Sequence, residues 1–362
     1  MNDNMNDHLI SVLIEDTISC LRFFPSKDIN YLASGGWDKK LRLFEIKYNV
    51  LNQSYYTESV SFSSNLMNTC QFPSPILSIN WLGNSGSIAA ACADGSVNLV
   101  DLQKNLNNKI GQHKSGCSDV VYNDNYNILL TGGWDGALNI WDFRAPNPVA
   151  SYQFNNKIYT MSYSNNLLVV GLSEVVMAYF DLDKLRMNQF QPEIIFGSHL
   201  KEQTKKVAVF NNGKGFIEGS IGGRVAVKYI DFSTPPKIDN KEANFTLSNK
   251  NDFSFRCHRK TKGNITNIYS INDISINPVY DTVCTVGGDG NFSIWDVSHK
   301  SKLADIETGP EPLTACDYNK SGELLAYASG YDWYKGACFA SEYTSPKIFI
   351  HYLKKAQKSK QA

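Results

Sequence analysis

Neither sign of charge predominates in this sequence, and its cysteines follow no recognisable motif. Lysine plus arginine and aspartate plus glutamate each number 35 among 362 residues, so the formal net charge is zero. A basic field over the whole surface, as in general nucleic-acid binders, is therefore excluded, whereas a local basic patch is not. The eight cysteines include no CxxC pair and no His/Cys cluster at metal-ligand spacing. We expect buried free thiols, as in a reducing compartment, and neither a metal nor another cofactor.

Long uncharged apolar runs are also missing. No segment approaches the roughly 18 residues that a membrane-spanning helix needs. The acidic first 17 residues lack the basic region of a signal peptide. We therefore expect a soluble, intracellular protein without membrane association. Because 42% of the residues are hydrophobic, the chain can bury a large core.

What the sequence does contain is an internal repeat. Three segments are close copies: ASGGWDKKLRLFEI from Ala33, LTGGWDGALNIWDF from Leu130 and TVGGDGNFSIWDV from Thr285. Each consists of a strand end, a tight turn bearing Asp, and an alternating strand with one buried face. Weaker copies extend the series to seven turn positions, which are Asp38, Asp94, Asp135, Glu174, Gly222, Asp289 and Asp332.

The spacing of these turn positions predicts the architecture. The shorter intervals fit a four-stranded propeller blade of about 40–45 residues. The longer intervals imply polar loop insertions at residues 48–67 and 233–252. We predict an all-β, seven-bladed β-propeller over residues 1–352, followed by a basic tail at residues 353–362. The last repeat supplies only three strands, so the segment HLISVLI, which precedes the first blade, is predicted to supply the fourth and close the ring.

One group of residues resembles a catalytic triad. His113, Thr131 and Asp135 provide an imidazole, a hydroxyl and a carboxylate, and Trp141 follows in the same repeat. Thr131 precedes the turn Asp by a fixed offset of four, which favours a structural network. In that network His bonds Asp, and Thr links His to the indole N–H. Asp38 and Asp289 lack a matching His in the sequence. With no phosphate-binding loop, nucleophile elbow, zinc motif or calcium loop either, we expect no enzyme.

Side chains that flank the turn positions are expected to project from one rim. Trp37, Trp134 and Tyr331 each precede a turn position by one residue, and Arg224 follows its turn position by two. Aromatic residues and arginine are enriched in protein interfaces, which favours a recognition surface. Packing between neighbouring blades is the alternative.

The segment NDFSFRCHRK at residues 251–260 alternates aromatic with basic residues. Such a segment can stack bases and hold phosphates. An outer strand with solvated arginines has the same pattern, and the residues alone do not choose between the two.

The segments FSFRCHRK at residues 253–260 and GRVAVKYI at residues 223–230 resemble those of one branch of the WD-repeat propellers. That branch contains mRNA-export factors of the Rae/Gle type, which bind a GLEBS motif in a nucleoporin. It also contains mitotic-checkpoint proteins of the Bub type, which bind the same kind of motif in checkpoint kinases. The segment LLAYASGYDWYKG at residues 324–336 and the lysine-rich end at residues 354–360 are similar to the export members.

The resemblance implies a non-enzymatic docking platform of the nuclear pore that supports mRNA export. Such a protein is a monomeric propeller in a heteromeric complex, located at the nucleus and nuclear pore and shuttling to the cytoplasm. A Bub-type spindle-checkpoint adaptor that binds kinase or kinetochore peptides is the alternative. A generic scaffold whose rim aromatics only pack is a further alternative.

The resemblance also assigns two sets of site residues. The surface for the GLEBS-type peptide contains Trp37, Trp134, Arg224 and Tyr331, and the guanidinium of Arg224 reads carboxylate or phosphate groups. A groove linked to single-stranded RNA or ribonucleoprotein matches Phe255, Trp295, Lys300 and Lys302, to which the basic-aromatic segment adds Arg256 and Arg259. Two departures from the family are Gly222, where relatives often have an acidic residue, and the long 233–252 loop.

Overall fold

The protein is built almost entirely of short antiparallel strands. The computed structural model describes residues 7–53, 58–102, 104, 106–143, 145, 147–187, 189–230, 249–342 and 345–358. In this part of the chain, the strands form seven four-stranded sheets and one two-stranded hairpin. The predicted seven-bladed, all-β architecture is therefore confirmed.

The strands are labelled in chain order, and those of a blade run from the centre of the ring outward. The first strand, β1 (His8–Leu9), belongs to the last blade. Blade 1 contains β2 (Ile18–Phe23), β3 (Tyr31–Gly36), β4 (Lys40–Gln53) and β5 (Glu58–Gln71). Blade 2 contains β6 (Ile76–Trp81), β7 (Ser87–Cys92), β8 (Ser96–Asp101) and β9 (Leu106–Gln112). Blade 3 contains β10 (Cys117–Asn123), β11 (Ile128–Gly133), β12 (Ala137–Trp141) and β13 (Ala150–Gln153).

The later blades follow the same order. Blades 4 and 5 contain β14 (Ile158–Ser164), β15 (Leu167–Leu172), β16 (Val176–Asp181) and β17 (Ile194–Gly197), and then β18 (Thr204–Val209), β19 (Gly215–Ser220), β20 (Arg224–Tyr229) and β21 (Phe253–Arg256). A separate hairpin of β22 (Arg259–Lys262) and β23 (Ile265–Ile268) comes next. Blades 6 and 7 contain β24 (Ile271–Ile276), β25 (Val283–Gly287), β26 (Asn291–Asp296) and β27 (Ser301–Glu307), and then β28 (Leu313–Tyr318), β29 (Leu324–Ser329) and β30 (Lys347–Tyr352). Among the described residues, the helical segments are two 3-10 helices (Leu182–Met187 and Ala337–Glu342) and α1 (Lys355–Lys358).

The innermost strands show why the ring closes. Each of β2, β6, β10, β14, β18, β24 and β28 contacts the innermost strand of the next blade, and β28 contacts β2. Their alternating apolar residues are buried between blades, as Leu21 of β2 and Ile79 of β6 illustrate. The core is therefore divided among the blade interfaces rather than gathered in one centre.

Every blade repeats one irregularity and one hydrogen bond. A β-bulge follows the first residue of each innermost strand. The residue after the second strand donates its N–H to the carbonyl just before the first strand, from Trp37 to Thr17, Ala93 to Pro75, Trp134 to Gly116, Ser173 to Lys157, Ile221 to Gln203, Gly288 to Ser270 and Gly330 to Pro312. The turns between second and third strands therefore share one face with the connections between blades. We call it the turn face.

The predicted position of the turn in blade 7 is wrong by one residue. Gly330, not Tyr331, makes the hydrogen bond that Trp37 and Trp134 make in their blades. Sheet register agrees, because Leu313 pairs with Ser329 as Ile18 pairs with Gly36. Tyr331 therefore takes the turn position assigned to Asp332. The 17 residues between β29 and β30, which include a 3-10 helix, obscure this frame in the sequence.

The N-terminal closing strand is confirmed but short. His8 pairs with Ile350 and Leu9 with Phe349, and the Ile10 N–H donates to Ile348. Beyond it, Ile10 and Ile14 are buried in the core between blades 7 and 1. Preceding β1, Asp7 accepts hydrogen bonds from Tyr327 at 2.6 Å and His351 at 2.7 Å.

Most of the insertion predicted as a loop at residues 48–67 forms strand, and residues 54–57 lie outside the described residues. The insertion lengthens β4 and β5 into a ribbon, in which Lys47 pairs with Ser63 and Tyr48 with Phe62. The ribbon is held by aromatic contacts at the ring closure, because Phe62 stacks on His8 and Tyr48 lies 5.9 Å from Tyr352. A segment in which polar residues alternate with Tyr and Phe forms a strand when its aromatic face can pack on neighbouring residues.

Two other expectations concern segments at the edge of the described chain. Residues 231–248, most of the predicted 233–252 loop, lie outside the described residues. The tail is predicted to lie apart from the propeller, but it contains α1. Gln357 of this helix is buried, and its amide oxygen lies 3.1 Å from Nε2 of His351. Residues 359–362 lie outside the described residues.

Most of the cysteines are the buried free thiols that the sequence predicts. All eight cysteines are free thiols; Cys338 is exposed, and the other seven are buried. Within the described ranges, no helix has the length and apolar character needed to cross a membrane. The same residues include no group of three His, Cys, Asp or Glu placed to hold a metal ion.

Candidate functional site

A buried hydrogen-bond tetrad fixes the turn of blade 3 as the sequence predicts. Nδ1 of His113 lies 3.2 Å from the Asp135 carboxylate, and its Nε2 lies 2.8 Å from the Thr131 hydroxyl. The Trp141 indole N–H donates to the same hydroxyl at 2.8 Å. Each member satisfies another, as a structural network requires.

The Asp135 carboxylate is held in its ionised form. Burial alone would raise its pKa, but the backbone N–H groups of Ala137 and Lys114 and the side chain of His113 outweigh burial, so the pKa is lowered. A carboxylate that accepts this many hydrogen bonds stabilises the turn rather than acting as a free base.

Blade 6 contains a second tetrad, and the expectation that Asp289 has no matching His is wrong. His258 lies 2.8 Å from Asp289 and 2.9 Å from Thr285, and the Trp295 indole donates to Thr285 at 3.0 Å. His and Asp are 22 residues apart in blade 3 but 31 apart in blade 6. The hairpin β22–β23 lies between His258 and the first strand of blade 6, which hides the pair from a spacing rule. Asp38 does lack a His, and its carboxylate pairs with Arg42 at 2.5 Å.

The turn face brings Trp37, Trp134 and Arg224 onto one rim. Trp37 is 38% exposed. Trp134 is half-buried, and its ring covers Gly116, where an added Cβ would lie 2.5 Å from the ring. Trp134 therefore packs on its own blade and remains partly exposed.

Tyr331 is not an exposed aromatic residue of this rim. Only 5% of it is exposed, and its hydroxyl donates to the Gly336 carbonyl and accepts from the Lys335 N–H. Among the described residues of this segment, the exposed aromatic residues are Trp333, Tyr334 and Phe339, none of which the sequence analysis assigned to the site.

Arg224 begins β20 beside two other arginines. Arg256 is its register partner on β21, and Arg259 donates to the Gly222 carbonyl at 3.1 Å. Within the described chain, the Arg224 guanidinium makes no hydrogen bond or ion pair. A Cβ at Gly222 would lie 2.7 Å from the Glu202 carboxyl carbon, so Glu202 occupies the space left by the missing acidic side chain.

The groove residues gather on the outer side of blades 5 and 6. The Phe255 ring lies 4.4 Å from Trp295, and Phe253 lies 6.2 Å from Phe255. Lys300 and Lys302 place their ammonium groups 4.7 Å and 5.0 Å from the Phe253 and Trp295 rings. Aromatic rings under lysine ammonium groups form a cation–π cluster.

Some members of this groove have structural duties. Trp295 is 9% exposed and belongs to the second tetrad, so it offers little stacking surface. Lys302 pairs with Asp305 at 2.6 Å. Arg256 is exposed but occupies the strand face opposite to Phe255, and Arg259 points to Gly222, so neither lies in the cluster.

Charged side chains at the centre of the ring escaped the sequence analysis. Arg22, Lys206 and Asp317 line a cavity of about 220 Å³. The Asp317 carboxylate accepts the Phe23 N–H of the next blade at 2.7 Å, as Asp273 accepts that of Cys316 at 3.0 Å. Burial raises the pKa of Asp317 to about 6, against the opposing influence of Arg22. These charged groups join consecutive blades. A charged residue inside an otherwise apolar inner strand is the sequence signal that could have identified them.

Seven four-stranded blades with two Asp–His–Thr–Trp tetrads define a WD40-repeat β-propeller. The family described as "WD domain, G-beta repeat" matches residues 8–45 and 104–142. Protein Rae1 of Drosophila melanogaster is 31% identical over 96% of this chain and 94% of its own length. The Poly(A)+ RNA export protein of Schizosaccharomyces pombe is 32% identical over 93% and 88%, and the Mitotic checkpoint protein bub3 of Dictyostelium discoideum 29% over 93% and 91%. The chain belongs to the Rae1/Gle2 family of mRNA export factors, and the resemblance seen in the sequence is confirmed.

Proposed function

We propose that this protein is a non-enzymatic docking platform of the nuclear pore whose turn face binds an acidic GLEBS-type nucleoporin peptide. In this role it supports mRNA export from the nucleus as one subunit of a heteromeric complex, and it shuttles to the cytoplasm. Relatives whose names state a role in RNA export support the export role. The bub3 relative, at lower identity, makes a checkpoint adaptor the second candidate.

The single observation that carries the proposal is the state of Arg224. Its guanidinium stands at the rim, half-buried, with neither a hydrogen bond nor an ion pair to the described residues. A partly buried guanidinium without an internal carboxylate is suited to a bidentate contact with an external one. Trp37 and Trp134 supply aromatic surface on the same face of the ring, in blades 1 and 3.

Titration calorimetry with a synthetic acidic GLEBS-type peptide tests the proposal. Arg224→Glu should weaken binding by about 2–5 kcal/mol if the ion pair is buried. Arg224→Lys should recover part of the loss, because it keeps the charge but not the planar fork. Lys320→Glu is the matched control, since this exposed lysine lies on the opposite face, between β28 and β29. Equal affinity for wild type and Arg224→Glu would remove Arg224 from the site.

The outer groove is proposed as a separate contact for single-stranded RNA or ribonucleoprotein. The cation–π cluster of Phe253, Phe255, Lys300 and Lys302 supports it. Lys300→Glu should weaken binding of a single-stranded RNA oligonucleotide and flatten its salt dependence, because one phosphate contact is lost. An unchanged salt slope would place RNA elsewhere.

A further inference from the structure

A recess on the turn face separates blades 6 and 7. Its volume is about 440 Å³, within the range of ligand pockets. Its walls include apolar surface from Tyr269, Tyr334, Pro310 and Pro312. Its charged lining is Asp289 and the ion pair of Lys260 with Glu307 at 2.7 Å. We call this cavity the blade 6–7 recess.

The repeat explains why the recess exists. In blade 3 the residue after the second strand is Trp134, whose ring fills the space above Gly116. Gly288 and Gly330 occupy the equivalent positions in blades 6 and 7, as their shared hydrogen bond shows. The Pro346 side chain covers Gly330, 3.2 Å from an added Cβ, so the opening lies at Gly288, which lines the recess.

The lip of the recess is fixed in place. Asp332 accepts a hydrogen bond from Asn272 at 3.1 Å, and Asn272 donates to the Leu313 carbonyl at 2.7 Å. Buried Tyr331 ties down the following turn through Gly336. Tyr334 is held on this anchored segment and remains 57% exposed. A preformed wall with an exposed aromatic ring lowers the entropic cost of binding.

We propose that the blade 6–7 recess receives an aromatic side chain from the acidic peptide that the turn face binds. The partner then supplies the ring that Trp134 supplies within blade 3. The walls suit such a ring, since tyrosine and proline surfaces pack on aromatic faces. Because Asp289 and Glu307 also line the recess, the occupant is the uncharged ring and not a carboxylate of the peptide. The inference deepens the proposed function and rests on it.

The first arm of the test uses N-acetyl-tryptophanamide, so that it does not depend on the peptide. Saturable NMR shifts should appear at the amides of Gly288 and Tyr334. N-acetyl-alaninamide should produce none at the same concentration, and Tyr334→Ala should abolish those caused by the tryptophan amide. Shifts spread over other parts of the surface would overturn the assignment of the recess.

The second arm is a double-mutant cycle with the synthetic acidic GLEBS-type peptide. Each aromatic residue of the peptide is replaced by alanine in turn. One of these changes should weaken binding to wild type about tenfold, as expected of an interface anchor, and binding to Tyr334→Ala less than twofold. Phe143→Ala removes an aromatic of 37% exposure on the opposite face and should retain the tenfold effect.

The outcomes separate the two proposals. If the peptide binds and Arg224→Glu weakens it, but no aromatic position couples to Tyr334, the recess is not an anchor site while the docking function stands. If the peptide does not bind wild type at all, both proposals fail.

Discussion

Blades 5 and 6 are neighbours that hold their turns in opposite ways. In blade 6, Asp289 bonds His258 within a tetrad whose polar groups satisfy one another. In blade 5 the turn residue is Gly222, and the Ser220 hydroxyl accepts its N–H at a long 3.3 Å. In blade 6 the carboxylate of the turn is bonded within the tetrad, whereas in blade 5 the guanidinium of Arg224 has no partner among the described residues.

The largest expected effect breaks the network of blade 6. Asp289→Ala leaves His258 and the Asn291 N–H without their acceptor, which should lower the free energy of unfolding by about 3 kcal/mol. Asp135→Ala should cost about 1–3 kcal/mol, because its His–Asp contact is longer and its carboxylate more exposed. Urea unfolding of both variants measures this order.

Asp94→Ala is the control for that experiment. Its carboxylate caps the turn of blade 2 by accepting hydrogen bonds from Ser96 alone, so its loss should be the smallest of the three. Equal losses in all three variants would show that the tetrads add nothing to a capped turn.

The next effect concerns a buried carboxyl in blade 5 and depends on pH. Burial raises the pKa of Glu218 from 4.5 to about 7. Because the folded state binds this proton more tightly than the unfolded state, stability is highest below pH 4.5 and falls as the pH rises to 7. At about 1.4 kcal/mol per unit, the fall contributed by Glu218 is about 3 kcal/mol at most.

Glu218→Gln removes that titration while keeping an acceptor for Ser198. Wild type minus variant stability, from urea unfolding at pH 4.5 and pH 8, should decrease with pH. The contribution of Asp317, whose pKa is also raised, is common to both proteins and cancels. A difference that stays constant with pH would mean that folding does not raise the pKa of Glu218.

The smallest effect is expected at the turn of blade 5 itself. Ser220→Ala removes two long hydrogen bonds, one to the Gly222 N–H at 3.3 Å and one to the Arg224 carbonyl at 3.4 Å. We expect a loss of about 0.5 kcal/mol, at the low end for a hydrogen bond. A loss as large as that of Asp289→Ala would show that blade 5 is fastened as firmly as blade 6.

The sequence predicts most of the ring and less of the surface. Turn residues and alternating strands are local signals, so seven blades follow from them, and the tetrad of blade 3 follows from its regular spacing. The tetrad of blade 6 was missed because an inserted hairpin changes that spacing. Tyr331 was misplaced because the frame of blade 7 is set by a backbone hydrogen bond of Gly330, which no side chain marks.

Local side-chain chemistry thus determined the blade repeat, the family and the residues that face the turns. Only the tertiary structure decided which of those residues are exposed and which are buried or hydrogen-bonded within the propeller. Trp295 is buried against the half-buried Phe255, the ribbon of blade 1 packs on the ring closure, and a recess opens at Gly288, where blade 3 has a tryptophan. The physical reason is that burial and hydrogen-bond satisfaction depend on residues distant in the chain, which are brought together when the last blade closes on the first.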